Sequence, residues 1–388
     1  LLGARAVQGI GAAIAAPSTL ALLTIHFPEG RERTRALAAY SAVAGGGGSV
    51  GLLLGGALTS WISWRWGLFV NVPLGIALVL LAPRYLSETE RRSGRFDVPG
   101  ALTSTLGMTA LVYGFVRAAS DGWGDPLTSA SFAAGLLLLA AFVRVEMKAA
   151  QPITPLRLFA SRQRVGAYLG RMLVIGSLFS MFFYLSQYMQ GVRGWSPLHT
   201  GVAFLPMSVV MFAMVQFVPR MSARVGDARL LTAGVFTATI GMLSLSRLSE
   251  GTAYFPEIAL PLVLLGLGMG ATIAPLTGAG IAGVEPADAG AASGLLNAAQ
   301  QVGASLGLSV LVTIFAAGGR AAAHHPVGTP GSSAEARYEL AHGVTAALTG
   351  SAVLLALAFA VVVVAIRGVT LRAPAPVAAV AQAVRSRL

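Results

Sequence analysis

The chain has 388 residues, of which 55% are hydrophobic and only 11% charged, with a mean hydropathy of +0.73. This composition excludes an ordinary soluble domain and describes an all-α integral membrane protein. Cysteine is absent, which removes disulfides, thiol catalysis and cysteine metal sites together, and the net charge of +12 comes almost wholly from arginine, Lys148 being the single lysine.

Apolar runs of about 20 residues, the length a helix needs to cross hydrocarbon, occur eleven times: 1–27, 34–62, 66–86, 99–116, 127–145, 165–189, 200–218, 230–248, 258–281, 291–317 and 344–366. The breaks between them carry turn chemistry, as in "FPEGRERTR", "SETERRSGRFDVPG", "SDGWGDP" and "HHPVGTPGSSAEARYE". The first run holds Arg5 and Gln8. The second, "AGGGGSVGLLLGGAL", is dense in glycine although each interior glycine costs a helix about 1 kcal/mol against alanine. In hydrocarbon an unwound backbone finds no water to bond, so the segment stays helical and its glycines become available for packing. Gly47, Gly51 and Gly55 recur every four residues with Gly56 beside them, a spacing that lets two helix backbones approach closely.

Distributed over alternate loops, the basic residues fall nineteen on one side, among them Arg31, Arg33, Arg35, Arg91, Arg92, Arg157, Arg162, Arg164, Arg220, Arg224 and Arg229. Six fall on the other, Arg65, Arg117, Arg193, Arg247, Arg320 and Arg337, and Arg5 and Arg171 lie within spans. The rich side is cytoplasmic by the positive-inside rule, which also accounts for the charge without invoking nucleic acid. An odd number of spans then places the C-terminus inside. The arginine, alanine and glycine bias fits a GC-rich bacterial genome, and hence the inner membrane.

Three ordered motifs, "RAVQGIGAA", "GSVGLLLGGAL" and "SWRWGLFVNVPLG", resemble the major facilitator superfamily and, more closely, its fourteen-span drug:proton antiporter family. The family's G-x-x-x-G-P-x-x-G-G motif maps onto Gly47, Gly51, Gly55 and Gly56, with Leu52 where the family has proline. The resemblance continues through Gln190, Ser196, Pro197, Gly201 and Pro206 in "FYLSQYMQGVRGWSPLHTGVAFLP", and through "GAASGLLNAAQQVGASLG", where Gln300 stands at a place often basic in relatives. It implies the major facilitator fold, with eleven spans here out of fourteen and three spans preceding Leu1. Residues 1–90 would be the second half of an N-terminal six-helix bundle, 97–147 an extra two-helix hairpin, 160–370 a C-terminal six-helix bundle and 371–388 a cytoplasmic tail.

Arg5 matches the arginine of the family's fourth-span motif, to which a part in proton coupling is attributed, and a charge at that depth faces a cavity or a partner. The alternative is an arginine that bonds backbone carbonyls and holds the bundle together. Arg171, near the cytoplasmic start of its span, is expected to snorkel to the interface. All fifteen acidic residues fall in or beside loops, and the aspartate the family supplies from its first span has no counterpart here. Residues 1–388 by themselves are therefore expected not to couple transport to protons.

Polar residues within spans are the candidates for a substrate path: Tyr184, Gln187 and Gln190, set among Met181, Phe182, Phe183 and Met189, then Asn297, Gln300 and Gln301, and finally Gln8 and Asn71. Methionine and aromatic side chains make an adaptable apolar surface, while helix-to-helix bonding explains the glutamines equally well. His324 and His325 lie in an external loop without further metal ligands, so no metal is assigned. No cofactor, ATP site or catalytic constellation is indicated. The expected function is proton-coupled export of amphipathic or cationic small molecules by alternating access between two bundles. Alternatives are a dedicated exporter of an endogenous metabolite or antibiotic, or a non-transporting membrane scaffold.

Overall fold

A computed structural model describes residues 2–26, 51, 53–85, 97–149, 151–285, 288–323 and 333–366. Among these residues there are helices and turns and no strands, as the composition requires in a medium where backbone groups must bond within their own segment. Eight helices are long and apolar enough to cross a membrane. Two further expected spans, 1–27 and 99–116, are the helices Leu2–His26 and Val98–Ser120, which are not among those eight. In the second, Thr103, Ser104 and Thr109 spend their hydroxyls on carbonyls of the preceding turn, a local bond that lets a polar helix sit in hydrocarbon. The span expected at 34–62 falls mostly outside the described residues.

The chain divides into two compact units, residues 1–74 and 75–388. The first contains α1 (Leu2–His26), a helical stretch at 53–61 and α2 (Trp64–Phe69), whose N-cap Ser63 accepts a bond from Arg65 N. Helix α3 (Asn71–Tyr85) straddles the division.

In the second unit, α4 (Val98–Ser120) and α5 (Pro126–Glu146) form an antiparallel hairpin. Asp97 caps α4 by accepting from Gly100 N at 2.9 Å, and Asp125 caps α5 by accepting from Thr128 N at 2.8 Å, each followed by a proline in the first turn. At the hairpin's tip Trp123 stacks on Phe132, and Phe115 meets both rings edge-on. A short 3-10 turn (Leu156–Ala160) leads into α6 (Arg162–Gln187), which ends in a π turn at Tyr188–Val192. Then come α7 (Pro197–Ala203), α8 (Leu205–Val225), α9 (Asp227–Leu245), α10 (Ala259–Ile281), α11 (Ala289–Ala323) and α12 (Ser333–Ala365).

Helices α6 to α12 pack into one bundle: α6 lies against α10, α11 and α12, α10 lies against α8 and α9, α9 lies against α12, and α4 of the hairpin lies against α11. The core includes Met181, Leu185, Tyr188, Met207, Leu231, Met242 and Leu265. Helices α11 and α12 run beyond the apolar segments that announced them, because alanine-rich flanks keep the helix going past the hydrocarbon and Glu335 lies in the first turn of α12, where the helix dipole favours an acid.

The "SP…G…P" motif has a local explanation. Ser196 accepts a bond from His199 N and starts α7 with Pro197 at its first position. The chain then breaks at Phe204, and Leu205 with Pro206 starts α8. One span is thus built from two helices.

Candidate functional site

Helix α6 carries its only mid-span charge, Arg171, nine residues from its start, about 14 Å along the axis. Contrary to the expectation of snorkelling, the side chain turns into the bundle. Its Nη2 donates to Gln300 Oε1 of α11 at 2.6 Å, and its Nη1 to Thr277 Oγ1 at 3.2 Å and Ile273 O at 3.4 Å, both on α10. Inward bonding wins because neighbouring helices offer acceptors that a lipid-facing rotamer lacks.

This contact is possible because α6 and α11 approach closely just beside it. A Cβ added at Gly176 would stand 2.7 Å from Gly303 O, one at Gly307 would stand 2.5 Å from Gly176 Cα, and one at Gly303 would collide with the Met172 carbonyl. Gly303 and Gly307 belong to the "QQVGASLG" motif, so the glycines of that motif set the distance at which Gln300 reaches Arg171.

The other expected path residues separate. Tyr184, 1% exposed, stacks on Phe315 of α11 at 5.3 Å, and its hydroxyl, like Ser180 Oγ one turn earlier, has no hydrogen-bond partner. Met181 and Met189 are buried with it, Phe182 packs on Phe204, and Phe183 is exposed. Gln187 is half-buried, and Gln190 is exposed within the π turn. Asn297 and Gln301 are exposed one helical turn apart on α11, whereas Gln300 is turned inward to Arg171. The residue types were visible in sequence, but the rotation of each helix was not.

In the first unit, Arg5 Nη1 donates to Gln8 Oε1 at 2.8 Å, so the two lie on one face of α1. Asn71, exposed, donates from Nδ2 to Leu68 O. Gly47 lies outside the described residues, as do His324 and His325. Gly56 is buried, while a Cβ at Gly51 or Gly55 would meet nothing within 4 Å.

On the side where the sequence gathers its arginines, Arg157 forms a bidentate pair with Asp288, at 2.5 and 2.6 Å, and holds its carboxyl below the usual carboxylate range. Arg164 donates to the carbonyls of Arg157, Leu158, Ala282 and Gly283, so it ties the entry to α6 to the end of α10. At the opposite end, Tyr188 donates to Ser249 O, Arg193 to Thr252 O and Tyr254 to Ala203 O. The bundle is thus laced at both ends and, among the described residues, carries one charge between them.

A helical bundle of this kind fits many membrane functions, and comparison with known proteins narrows it. Residues 1–308 match the family model described as Major Facilitator Superfamily. The chain belongs to the Major Facilitator Superfamily. As a multi-pass member of that superfamily it is 40% identical over 316 residues to the puromycin resistance protein pur8 of Streptomyces alboniger, covering 80% of this chain and 62% of the relative. It is 41% identical over 323 residues to the cephamycin export protein CmcT of Amycolatopsis lactamdurans, covering 82% and 66%. It is 31% identical over 321 residues to the multidrug resistance protein Stp of Mycobacterium tuberculosis, covering 82% and 59%. The chain thus spans less than two thirds of the length of these curated relatives. The superfamily match reaches past Gln300 and Gln301, so every expected site residue lies inside it.

Proposed function

We propose that this chain is the greater part of a proton-coupled secondary exporter of amphipathic or cationic small molecules, of the drug-efflux type, working by alternating access in a bacterial inner membrane with the C-terminus in the cytoplasm. The observation that carries this reading is the superfamily match over residues 1–308, together with relatives whose names state export or resistance. In this reading residues 1–90 are the second half of the N-terminal bundle, α4 and α5 the extra hairpin, α6 to α12 the C-terminal six-helix bundle and residues 371–388 a tail. Small molecules, protons and lipid are its partners, and it catalyses no covalent chemistry.

Arg5 is the coupling residue in this proposal. A charge on α1 held by a neutral glutamine keeps its positive field, which can bias the protonation of a carboxylate elsewhere in the full-length protein. Gln8, Asn71, Tyr184, Gln187, Gln190, Asn297, Gln300 and Gln301 line the path, and Gly47, Gly51, Gly55 and Gly56 form a seam on which helices rearrange.

The test uses the full-length protein in inverted vesicles with an imposed pH gradient. Addition of lipophilic compounds should release lumenal protons in a compound-dependent way, and Arg5→Ala should abolish that release while insertion stays normal. Release that persists in Arg5→Ala removes Arg5 from coupling, and no release with any compound from inserted protein removes the proton-coupled reading. Relatives named for puromycin and cephamycin favour a second reading, in which the exporter serves one antibiotic-like metabolite and responds to few members of such a panel.

A further inference from the structure

Arg171 is poorly neutralised for a charge so deep in a helix bundle. Three other arginines of this unit show what fuller satisfaction looks like. Arg117 has Asp121 and Asp125, Arg157 has Asp288, and Arg164 has four backbone carbonyls. Arg171 has one carbonyl at 3.4 Å, one threonine hydroxyl and one amide oxygen, all neutral, and its Nε is buried without any hydrogen-bond partner. No carboxylate of a described residue forms an ion pair with it. The residue as a whole remains partly exposed, while the Nε atom itself is buried.

The surrounding polar groups complete the pattern. Gln300 gives its amide oxygen to Arg171, which leaves its NH2 as a donor turned away from the guanidinium. Thr277 donates its own hydroxyl hydrogen back to Ile273 O and so offers Arg171 only a lone pair. The unspent capacity at this crossing of α6, α10 and α11 is therefore donor capacity around a positive charge. Such a constellation selects an anion, and a guanidinium suits a planar carboxylate best.

We infer that Arg171, with Gln300 beside it, is an anion subsite that takes the carboxylate of the exported molecule. The inference rests on the exporter reading and deepens it: an amphipathic substrate would place its apolar body elsewhere in the path and its acidic group here. Within the exporter's substrates, carboxylates are then recognised through this subsite, and neutral or cationic compounds do not use it.

The test is an equilibrium binding measurement, independent of transport, so failure of the vesicle assay and failure of this subsite are distinguishable. Full-length protein in phosphatidylcholine nanodiscs is titrated with dansylglycine and with its methyl ester, followed by dansyl fluorescence. The wild type should bind the acid about tenfold more tightly than the ester, the discrimination of one charge-assisted contact. Arg171→Gln should erase the preference by weakening the acid alone, and Arg171→Lys should keep part of it. Gln300→Glu retains Arg171 and supplies it with an internal carboxylate, so it should erase the preference even if Arg171→Gln fails to fold.

The inference is overturned if the wild type shows no preference, including no binding of either compound, if Gln300→Glu leaves the preference intact, or if acid and ester weaken equally in the variants. Anionic phosphatidylglycerol in the nanodiscs should leave the preference unchanged, and its loss there would assign the subsite to a lipid headgroup instead.

Discussion

Arg117 donates through Nε to Asp125 Oδ2 at 2.7 Å and lies 3.5 Å from Asp121, so the tip of the α4–α5 hairpin is closed by an aspartate that also caps α5. The hydrogen bond from Arg117, joined by those from Thr128, holds the Asp125 carboxyl well down, at about 2. Its folded value lies below the unfolded value of about 3.9, so the stabilisation is fully present above about 3.9 and is lost only as pH falls through about 2. Asp125→Asn keeps a good N-cap and removes the charge. Its unfolding temperature should fall modestly below that of the wild type, by an amount that stays constant between pH 5 and 8. A difference that varies across that range would show that another group controls the hairpin. This clasp was legible in the sequence only as a turn, "SDGWGDP", since nothing in spacing says that the arginine closes back on both aspartates. Arg171 shows the same limit more sharply: its presence in an apolar span was plain, but a helix apolar on every side carries no stripe to tell which face looks inward.

Two glycine patterns with the same four-residue spacing behave differently, and the difference lies in what stands opposite. At Gly303 and Gly307 the backbone of α6 is in direct contact, so Gly303→Ala forces a methyl into the Met172 carbonyl. Overpacking of this kind costs about 1–3 kcal/mol, and the variant should show a lower unfolding temperature in detergent and a disturbed Arg171–Gln300 contact. At Gly51 an added Cβ meets nothing within 4 Å, so Gly51→Leu should insert and unfold like the wild type. If the proposed seam operates during transport, the same variant should lose export, and unimpaired export would remove the seam from the mechanism. The sequence announces small-residue spacing but never the partner helix, and Gly47 of the motif singled out first lies outside the described residues. Eight of the expected spans appear as helices long and apolar enough to cross, because hydrocarbon thickness fixes the length a span needs, whereas the helix starts at Asp97, Asp125 and Ser196 come from the structure, where each side chain caps its own helix.

The orientation of the whole molecule rests on where its arginines fall, and this can be tested because the chain has no cysteine to interfere. The positive-inside rule acts on loops near span ends. On that rule the α8–α9 turn, with Arg220, Arg224 and Arg229, would lie in the cytoplasm and the α4–α5 turn outside. Gly124 on the latter turn has open space around it and Ala223 near the former is exposed, so a cysteine at either position should leave the fold intact. A membrane-impermeant maleimide added to intact cells should label Gly124→Cys and leave Ala223→Cys unlabelled until the membrane is opened. The arrangement of helices constrains the result further. Gly124 lies in the turn between α4 and α5, and Ala223 lies at the end of α8, separated from it by the spans that begin at Pro126, Arg162 and Pro197. Three crossings put the two positions on opposite sides whichever way the protein is inserted. Labelling of both from outside would therefore contradict the span assignment itself. Reversed labelling would keep the spans and invert the molecule, placing Arg157, Asp288 and Arg164 outside.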